Sequence, residues 1–332
     1  MTRDDSPREI PANPALRRVL DRPHGPALLE LMTDGLSGGD LTTLLLEVFR
    51  RRAERLSPAD VMRRYRSDRF VAPAPTSLTA LRRAEDAFVA ELSDDFEMLV
   101  LSPVLPLAAH SGVASVDPRK VIATIRGSEV AADPTNGLAL EASARRSLAL
   151  AADPRSSAPV RLAASQRVTR AQHFNSPGML AHFQIFGLVT AGRDTGNRSF
   201  EYEQLAQHLR FAARALAAAG SRRTEIRLTC LEDANRPIIE RIRGDLAALP
   251  GTSVVEDPGR ATGRGYYTGI CFKIIAGMDD DQQLEVADGG FVDWSQLLTG
   301  NRKERLLISG FGIDRIAENL TSSSAHDQAP PH

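Results

Sequence analysis

The sequence lacks several features that would by themselves point to a class of protein. Only two cysteines occur, Cys230 and Cys271, which excludes a disulfide scaffold and a zinc site with four cysteine ligands. The 41 basic residues are balanced by 42 acidic ones, so there is no broad positive field of the kind that attracts nucleic acid nonspecifically. No apolar run approaches the roughly 20 residues of a membrane span, and the polar start MTRDDSPREI has no apolar signal core. These absences predict a cytoplasmic protein that does not embed in membranes.

Several familiar catalytic motifs are also missing. The sequence contains no Walker P-loop, no GxGxxG after a strand, no HExxH and no GxSxG. The seven histidines show no clear metal-ligand spacing, and His110, His173 and His182 are isolated, which favours ordinary structural roles. The commonest signatures of nucleotide binding, zinc hydrolysis and serine hydrolysis are therefore excluded.

The 332 residues are enough for one large domain or two ordinary ones. Helical spacing of apolar residues predicts helices over 40–56, 58–66 and 77–92. We interpret residues 1–75 as an N-terminal helical extension or cap and residues 76–321 as the main domain. Residues 322–332 carry too little apolar surface to offset the entropy of ordering and predict a disordered tail.

From Phe96 onwards the pattern changes to short apolar strands. Strands are predicted at 96–106 (broken by Pro103), 161–170, 181–190, 225–231, 267–276, 284–290 and 305–311, with helices at 203–219 and 235–248. Hairpins replace regular strand–helix alternation in this order. The prediction is an α+β fold in which helices flank a mainly antiparallel sheet.

Four segments, in order, resemble the class II aminoacyl-tRNA synthetase superfamily, and in particular histidyl-tRNA synthetase and its paralogues. FEMLVLSPVLPL is similar to the first class II motif, which ends at a proline, here Pro103, at the family's dimer interface. The segment 161–189 resembles the hairpin of the second motif, GRGYYTGICFK with ADGGFVDW resembles the two histidine-recognition segments, and GFGIDRI resembles the third motif. The resemblance spans about residues 95–320 and implies a class II synthetase-like catalytic domain and a homodimer.

The resemblance also implies an ATP site. Arg170 would hold the α-phosphate and the substrate carboxylate, and Arg315 the γ-phosphate, which makes these two the predicted catalytic residues. Gln172 and Phe183 complete the predicted ATP site, with Phe183 where the family stacks an aromatic ring on adenine. During adenylation the enzyme must stabilise negative charge as it is redistributed over the phosphates. The guanidinium of arginine is always charged and offers two parallel N–H donors for this purpose. ATP and Mg²⁺ are the expected cofactors, with unidentified metal ligands; the alternative is that each arginine is an ordinary ion-paired surface residue.

The substrate side departs from the family pattern. Thr135 stands where the family has a glutamate, Gln172 replaces the carboxylate of the second motif, and Val189 replaces another acid. A buried substrate cation needs a compensating charge, so these losses argue against histidine as the substrate. Asp288 and Asp293 are the nearest acids that can meet a substrate cation. The predicted substrate-binding residues are Thr135, Arg264, Tyr266, Tyr267, Gly289 and Gly290.

Three functions remain open at this point. The first is an AMP-forming ligase that adenylates a small carboxylate or amino acid and passes the acyl group to an amine, a carrier protein or another acceptor. The second is a non-catalytic regulatory subunit resembling that of ATP phosphoribosyltransferase, and the third is a dimeric scaffold that binds no nucleotide. About 20 residues follow Arg315, too few for an anticodon-binding domain, so tRNA charging is not expected. The Arg-rich segment FRRRAERL can bind an anionic partner or serve only as a solvated helix face.

Overall fold

A computed structural model describes residues 13–172, 180–277 and 283–319. The helices are α1 (Pro14–Leu20), α2 (Gly25–Glu30), α3 (Gly38–Ala53), α4 (Pro58–Ser67), α5 (Leu78–Glu91), α6 (Pro134–Ala152), α7 (Ser199–Ala218), α8 (Arg236–Leu246), α9 (Trp294–Thr299) and α10 (Ile313–Asn319). The strands are β1 (Glu97–Met98), β2 (Val104–Pro106), β3 (Ser128–Val130), β4 (Val160–Thr169), β5 (His182–Arg193), β6 (Arg223–Cys230), β7 (Thr252–Glu256), β8 (Thr268–Gly277), β9 (Leu284–Val292) and β10 (Glu304–Gly312). Within these ranges no helix is both long and apolar enough to cross a membrane.

Eight of the strands form one sheet in the order β1-β4-β5-β10-β9-β8-β6-β7. The two outer pairs, β1 with β4 and β6 with β7, are parallel, and every other pairing is antiparallel. This confirms the predicted α+β fold on a mainly antiparallel sheet. The strand predicted over 96–106 is broken, as expected, into two: β1 joins the large sheet, whereas β2 pairs with β3 in a separate ribbon. Pro103 lies between them, where its missing N–H cannot serve a continuous ladder.

Helices cover both faces of the large sheet. Alternate residues of β5 point to opposite sides, as a strand requires: Phe186 packs in the cluster that contains α5, α7 and α8, and Val189 in the cluster that contains α6 and α9. Gly187 lies beside α6, where an added Cβ would come within 2.9 Å of the Pro134 ring. The absence of a side chain at that position lets the start of α6 approach the sheet closely.

The chain divides into two compact units, with the boundary after Arg64 and with Ile125–Gly127 belonging to the first unit. In the second unit, the segment before α5 is bonded to the sheet. Arg69 donates to the Ala171 carbonyl at 2.8 Å, and the His182 ring bonds the Ala72 carbonyl at 2.7 Å. The boundary predicted after residue 75 stays a prediction.

Two truncations test where the independent domain begins. A chain that begins at Asp68 is expected to fold, whereas one that begins at Thr76 loses Arg69 and Ala72. Its free energy of unfolding should fall by roughly 1–3 kcal/mol, the worth of two hydrogen bonds. Urea unfolding followed by circular dichroism measures the difference. Equal midpoints would show that these contacts contribute nothing, and aggregation of both chains would show that the first unit completes the core.

A buried histidine lies between α7 and the sheet. His208 is bonded to the Thr190 hydroxyl at 2.9 Å and to the Ser309 hydroxyl at 2.7 Å. Burial lowers the pKa of His208 to about 3, and the positive charge of Arg161 adds to this effect. The folded protein therefore keeps this imidazole neutral at pH values where the unfolded chain protonates it.

This histidine predicts a pH dependence of stability. Between its unfolded pKa of about 6.5 and its folded pKa of about 3, the unfolded chain binds one more proton, so stability falls as the pH falls through that window. The loss should be about 2 kcal/mol between pH 6.5 and pH 5. Urea unfolding of the wild type and His208→Gln at pH 7, 6 and 5 isolates this contribution. A difference between the two proteins that does not change with pH would contradict it.

Candidate functional site

A cavity of about 600 Å³ opens in the second unit, a size typical of small-molecule sites. The hairpin of β4 and β5, the start of α6, β9, the end of β10 and α10 all contribute to its wall. Seven of the predicted site residues line it: Thr135, Arg170, Gln172, Phe183, Tyr266, Tyr267 and Arg315. The fold thus brings residues from distant parts of the sequence into one cavity.

Arg170 directly follows β4 and is held from several sides. Its Nε donates to the Ala132 carbonyl at 2.9 Å, and its Nη2 donates to a carboxylate oxygen of Asp133 at 2.9 Å. Its guanidinium carbon lies 5.1 Å from the centre of the Phe183 ring, within the range of a cation–π contact. About a third of the Arg170 side chain remains exposed. The arginine is therefore oriented in advance and still accessible to a ligand.

Asp133 is a cavity residue that the sequence analysis missed. It is the N-cap of α6, where its carboxylate accepts hydrogen bonds from the Thr135 amide at 2.9 Å and the Thr135 hydroxyl at 2.7 Å. Asp133 supplies a carboxylate to this part of the cavity, two residues before Thr135, the position that aligns with a glutamate in the resemblance described above. An aspartate before a proline at a helix start is the signal that identifies it.

Arg315 lies on α10 at another part of the cavity wall. Its Nη1 donates to the Glu285 carbonyl at 2.9 Å. The neighbouring Asp314 carboxylate accepts hydrogen bonds from the Gln184 amide and, at 2.9 Å, from the Thr76 hydroxyl. Both predicted phosphate-binding arginines thus line the same cavity.

The tyrosine pair forms a further part of the wall. The rings of Tyr266 and Tyr267 meet edge to face with their centres 4.9 Å apart, and burial raises the pKa of both phenols well above the usual range. Behind them, Nη2 of the buried Arg260 donates to both carboxylate oxygens of Asp288 at 2.9 Å, and the Tyr267 hydroxyl also bonds this carboxylate. Burial raises the pKa of Asp288, and the charge of Arg260 opposes that shift. Arg260 was not predicted, although it lies just before the recognised GRGYYTG segment.

Three predicted substrate residues lie outside the lining. The Arg264 guanidinium donates to the carbonyls of Arg260 at 2.7 Å and Pro258 at 2.6 Å, which braces the loop before β8. Gly289 and Gly290 lie within β9, where a Cβ would run into the Phe272 ring at the first position and, at the second, would come within 2.8 Å of the Tyr267 ring. Close packing therefore explains both glycines, and contact of these three residues with substrate stays a prediction.

Lys120 is another cavity residue that was not predicted. It is one of only three lysines in the chain. Its ammonium makes no hydrogen bond or ion pair within the part of the chain that the structure describes. It therefore offers an exposed cation at the cavity wall.

The described lining carries more acids than bases. Its basic side chains are Lys120, Arg170 and Arg315, and its acidic side chains are Asp133, Glu285, Asp288, Asp314 and Glu318. Such a mixed lining suits a ligand that carries both signs of charge, or an anion that brings a cation with it. Within residues 13–172, 180–277 and 283–319 no cluster of three or more His, Cys, Asp or Glu forms a ready metal site.

No protein-family model and no curated protein matches this sequence. Solved structures do match: an ATP phosphoribosyltransferase regulatory subunit/histidyl-tRNA synthetase from Bacillus halodurans superposes with a TM-score of 0.54 at 16% identity, over 75% of this chain and 82% of its own. The chain has the class II synthetase fold. The histidyl-tRNA synthetase of S. aureus gives 0.54 at 14% identity over 74% and 66%, and a histidine–tRNA ligase subunit from Alicyclobacillus acidocaldarius gives 0.55 at 14% over 77% and 96%. At these identities the likeness establishes the synthetase fold alone, and the function has to be argued from the cavity.

Proposed function

We propose that the cavity binds ATP together with an amino acid or another small carboxylate and adenylates it. The observation that carries this proposal is the convergence of Arg170 and Arg315, from two separate motifs, on one cavity that also contains Phe183. Two fixed cations and an aromatic ring are what a nucleoside triphosphate needs from a protein that holds its phosphates and its base.

The chemistry assigns a part to each side chain. A carboxylate oxygen of the substrate attacks the α-phosphorus and forms a new P–O bond, while the bond from that phosphorus to the bridging oxygen breaks. Pyrophosphate leaves with the electron pair, and no proton is consumed. Arg170 and Lys120 stabilise charge where it develops, and Arg315 holds the departing phosphates. We propose an amine, a carrier protein or another small acceptor as the recipient of the acyl group, and not tRNA in the ordinary charging reaction.

The residues fit ATP accompanied by Mg²⁺. Magnesium is usually held by one or two carboxylates together with the substrate's phosphates, and Glu285, Asp314 and Glu318 share the lining with Arg315. These are the groups that would hold the ion, which would neutralise part of the phosphate charge. In the absence of a metal, three of the lining carboxylates pair with cations just outside the lining: Asp288 with Arg260, Glu285 with Lys273 and Asp314 with Arg167.

A second candidate is a regulatory subunit that binds an amino acid without ATP. It is favoured by the Arg170–Asp133 ion pair, in which the arginine already has a carboxylate partner at 2.9 Å. An amino acid can insert between the two, with its carboxylate on the arginine and its ammonium on the aspartate. The Bacillus halodurans neighbour, whose name includes a regulatory subunit, is consistent with this reading.

We also propose that the protein is a homodimer that uses the segment similar to the first class II motif. Four large apolar side chains in that short segment are exposed: Met98, Val100, Val104 and Leu107. Val100 is fully exposed. Apolar side chains clustered in this way indicate a contact surface. Light scattering of the wild type and Val100→Asp tests whether this segment holds two copies together.

Calorimetric titration separates the two candidate functions. ATP with Mg²⁺, and histidine alone, are titrated into the wild type, Arg315→Ala and the surface control Arg210→Ala. ATP binding that is lost only in Arg315→Ala supports adenylation and justifies screening carboxylates for pyrophosphate release. Histidine binding without ATP binding supports the regulatory subunit, and no binding of either ligand contradicts both.

A further inference from the structure

His110 is a buried histidine in the cavity wall to which the proposed chemistry gives no role. It is 1% exposed and lies on a single π-helical turn, Ala109–Val113, between β2 and β3. On either side of it, Ala108 and Ser115 adopt left-handed backbone conformations with φ of 73° and 54°. Non-glycine residues in this region are strained and persist only where surrounding contacts fix them. Contacts with neighbouring residues must therefore hold this turn in its conformation.

The carboxylate of Glu129 on β3 holds the turn. One of its oxygens accepts hydrogen bonds from the His110 amide at 2.7 Å and the His110 Nδ1 at 2.6 Å, and the other accepts from the Ala108 amide at 3.3 Å. Glu129 itself is 4% exposed. Three donors from the strained turn thus compensate for the burial of one carboxylate.

The hydrogen bonds also fix the protonation of the imidazole. The Ala132 amide lies 3.0 Å from His110 Nε2, and a backbone N–H can only donate. Nε2 is therefore the unprotonated acceptor, and the ring proton lies on Nδ1, which donates to Glu129. The two contacts therefore hold the ring in one tautomer, in which Nδ1 donates a hydrogen bond to the Glu129 carboxylate.

The far side of the same segment holds Arg170. The Ala132 carbonyl accepts from Arg170 Nε, and the Asp133 carboxylate accepts from Arg170 Nη2, both at 2.9 Å. We propose that His110 is a positioning residue. With Glu129 it fixes the Ala132–Asp133 segment, which in turn orients the Arg170 guanidinium toward the ligand's negative charge. The role in ligand binding rests on the proposed function, but the orientation of Arg170 is measurable without any ligand.

The first test measures Arg170 directly. Hydrogen exchange of its Nε–H, followed by ¹⁵N NMR and assigned with Arg170→Lys, reports the bond to the Ala132 carbonyl. His110→Leu removes both imidazole bonds and is expected to speed this exchange at least tenfold. His110→Gln keeps an acceptor for the Ala132 amide and should give an intermediate rate. His208→Gln, which alters another buried histidine with two side-chain partners, should leave the rate unchanged.

The second test measures ligand affinity with the same variants. The Kd for ATP with Mg²⁺ should rise at least tenfold in His110→Leu, less in His110→Gln and not in His208→Gln. Combining His110→Leu with Arg170→Lys should cost less than the product of the two separate losses, because both act through one guanidinium.

The two tests fail separately. If the wild type binds no ATP, the proposed function is wrong. The exchange rates of the Arg170 Nε–H in the His110 variants still test the positioning role of His110. If a folded His110→Leu leaves the Arg170 exchange unchanged, the positioning role is overturned whatever the ligand does. If His110→Leu does not fold, the exchange rate in His110→Gln decides by the same criterion.

Discussion

Arg315→Ala is expected to abolish ATP-dependent pyrophosphate release in a protein that remains folded. The guanidinium of Arg315 lines the cavity from α10, where its Nη1 donates a hydrogen bond to the part-buried backbone carbonyl of Glu285. Removing one preorganised donor from a site where charge develops typically lowers the rate by about 10²–10³. Arg170→Ala should have an effect of similar size, but it also leaves the Asp133 carboxylate without its cation.

Two controls make this result interpretable. Arg315→Lys keeps the positive charge but loses the planar, forked guanidinium. It should therefore retain part of the activity if charge alone stabilises the phosphates. Arg210→Ala removes an arginine of α7 that forms an exposed ion pair with Asp245 at 3.5 Å, and such pairs contribute little. Thermal unfolding of all three variants checks that the fold is retained. Undiminished turnover in Arg315→Ala would contradict the proposal that this arginine binds the phosphates of ATP.

The largest effect on stability is expected at a fully buried ion pair. Arg146 of α6 and Glu304 of β10 are both 0% exposed, with Nε and Nη2 of the arginine 2.7 and 3.0 Å from the two carboxylate oxygens. The remaining guanidinium nitrogen donors bond the carbonyls of Ala158 and Ser156 at 2.9 Å. Four of the five N–H donors of the arginine thus have acceptors inside the protein.

Breaking this pair from one side should be severe. Arg146→Leu leaves a buried carboxylate without its main partner, and such losses cost about 3–5 kcal/mol. The double variant Arg146→Leu with Glu304→Leu should recover part of the loss, because it removes both fully buried charges together. Arg193, whose Nε lies 3.5 Å from Glu304, keeps its hydrogen bond to the Pro154 carbonyl. Urea unfolding of the single and double variants measures both effects. If the double variant loses as much as the two single variants combined, the desolvation argument is wrong.

The sequence predicted the strands of the sheet best where the pattern was local. The hairpin expected at 161–170 and 181–190 is found as β4 and β5, with ends that differ by at most three residues. Helix α6, by contrast, was not predicted. Its Ala-rich sequence buries residues around much of its circumference, so no single apolar stripe stands out. The local pattern therefore identified strands built from bulky apolar residues and missed a helix whose buried residues are mostly small or polar.

The candidate site was predictable only in part, for a related reason. Arg170 and Arg315 lie in motifs that can be recognised one at a time. The partners that give them their environment come from elsewhere: Asp133 is 37 residues before the first arginine, and the carbonyl of Glu285 is 30 residues before the second. No pattern in a single sequence records that these residues meet, because tertiary packing alone brings them together. The charge balance of the cavity could therefore be read only from the fold.

The central place of β10 in the sheet has a consequence for how the protein is made. This strand pairs with β5 on one side and β9 on the other, although it follows both of them in the chain. During synthesis, the part of the sheet that ends in β5 and the part that begins with β9 must wait with open edges until residues beyond 303 have emerged. Open strand edges are templates for aggregation. Chains stalled before β10 should therefore need protection by chaperones, and ligand binding can begin only after the final strand has closed the sheet.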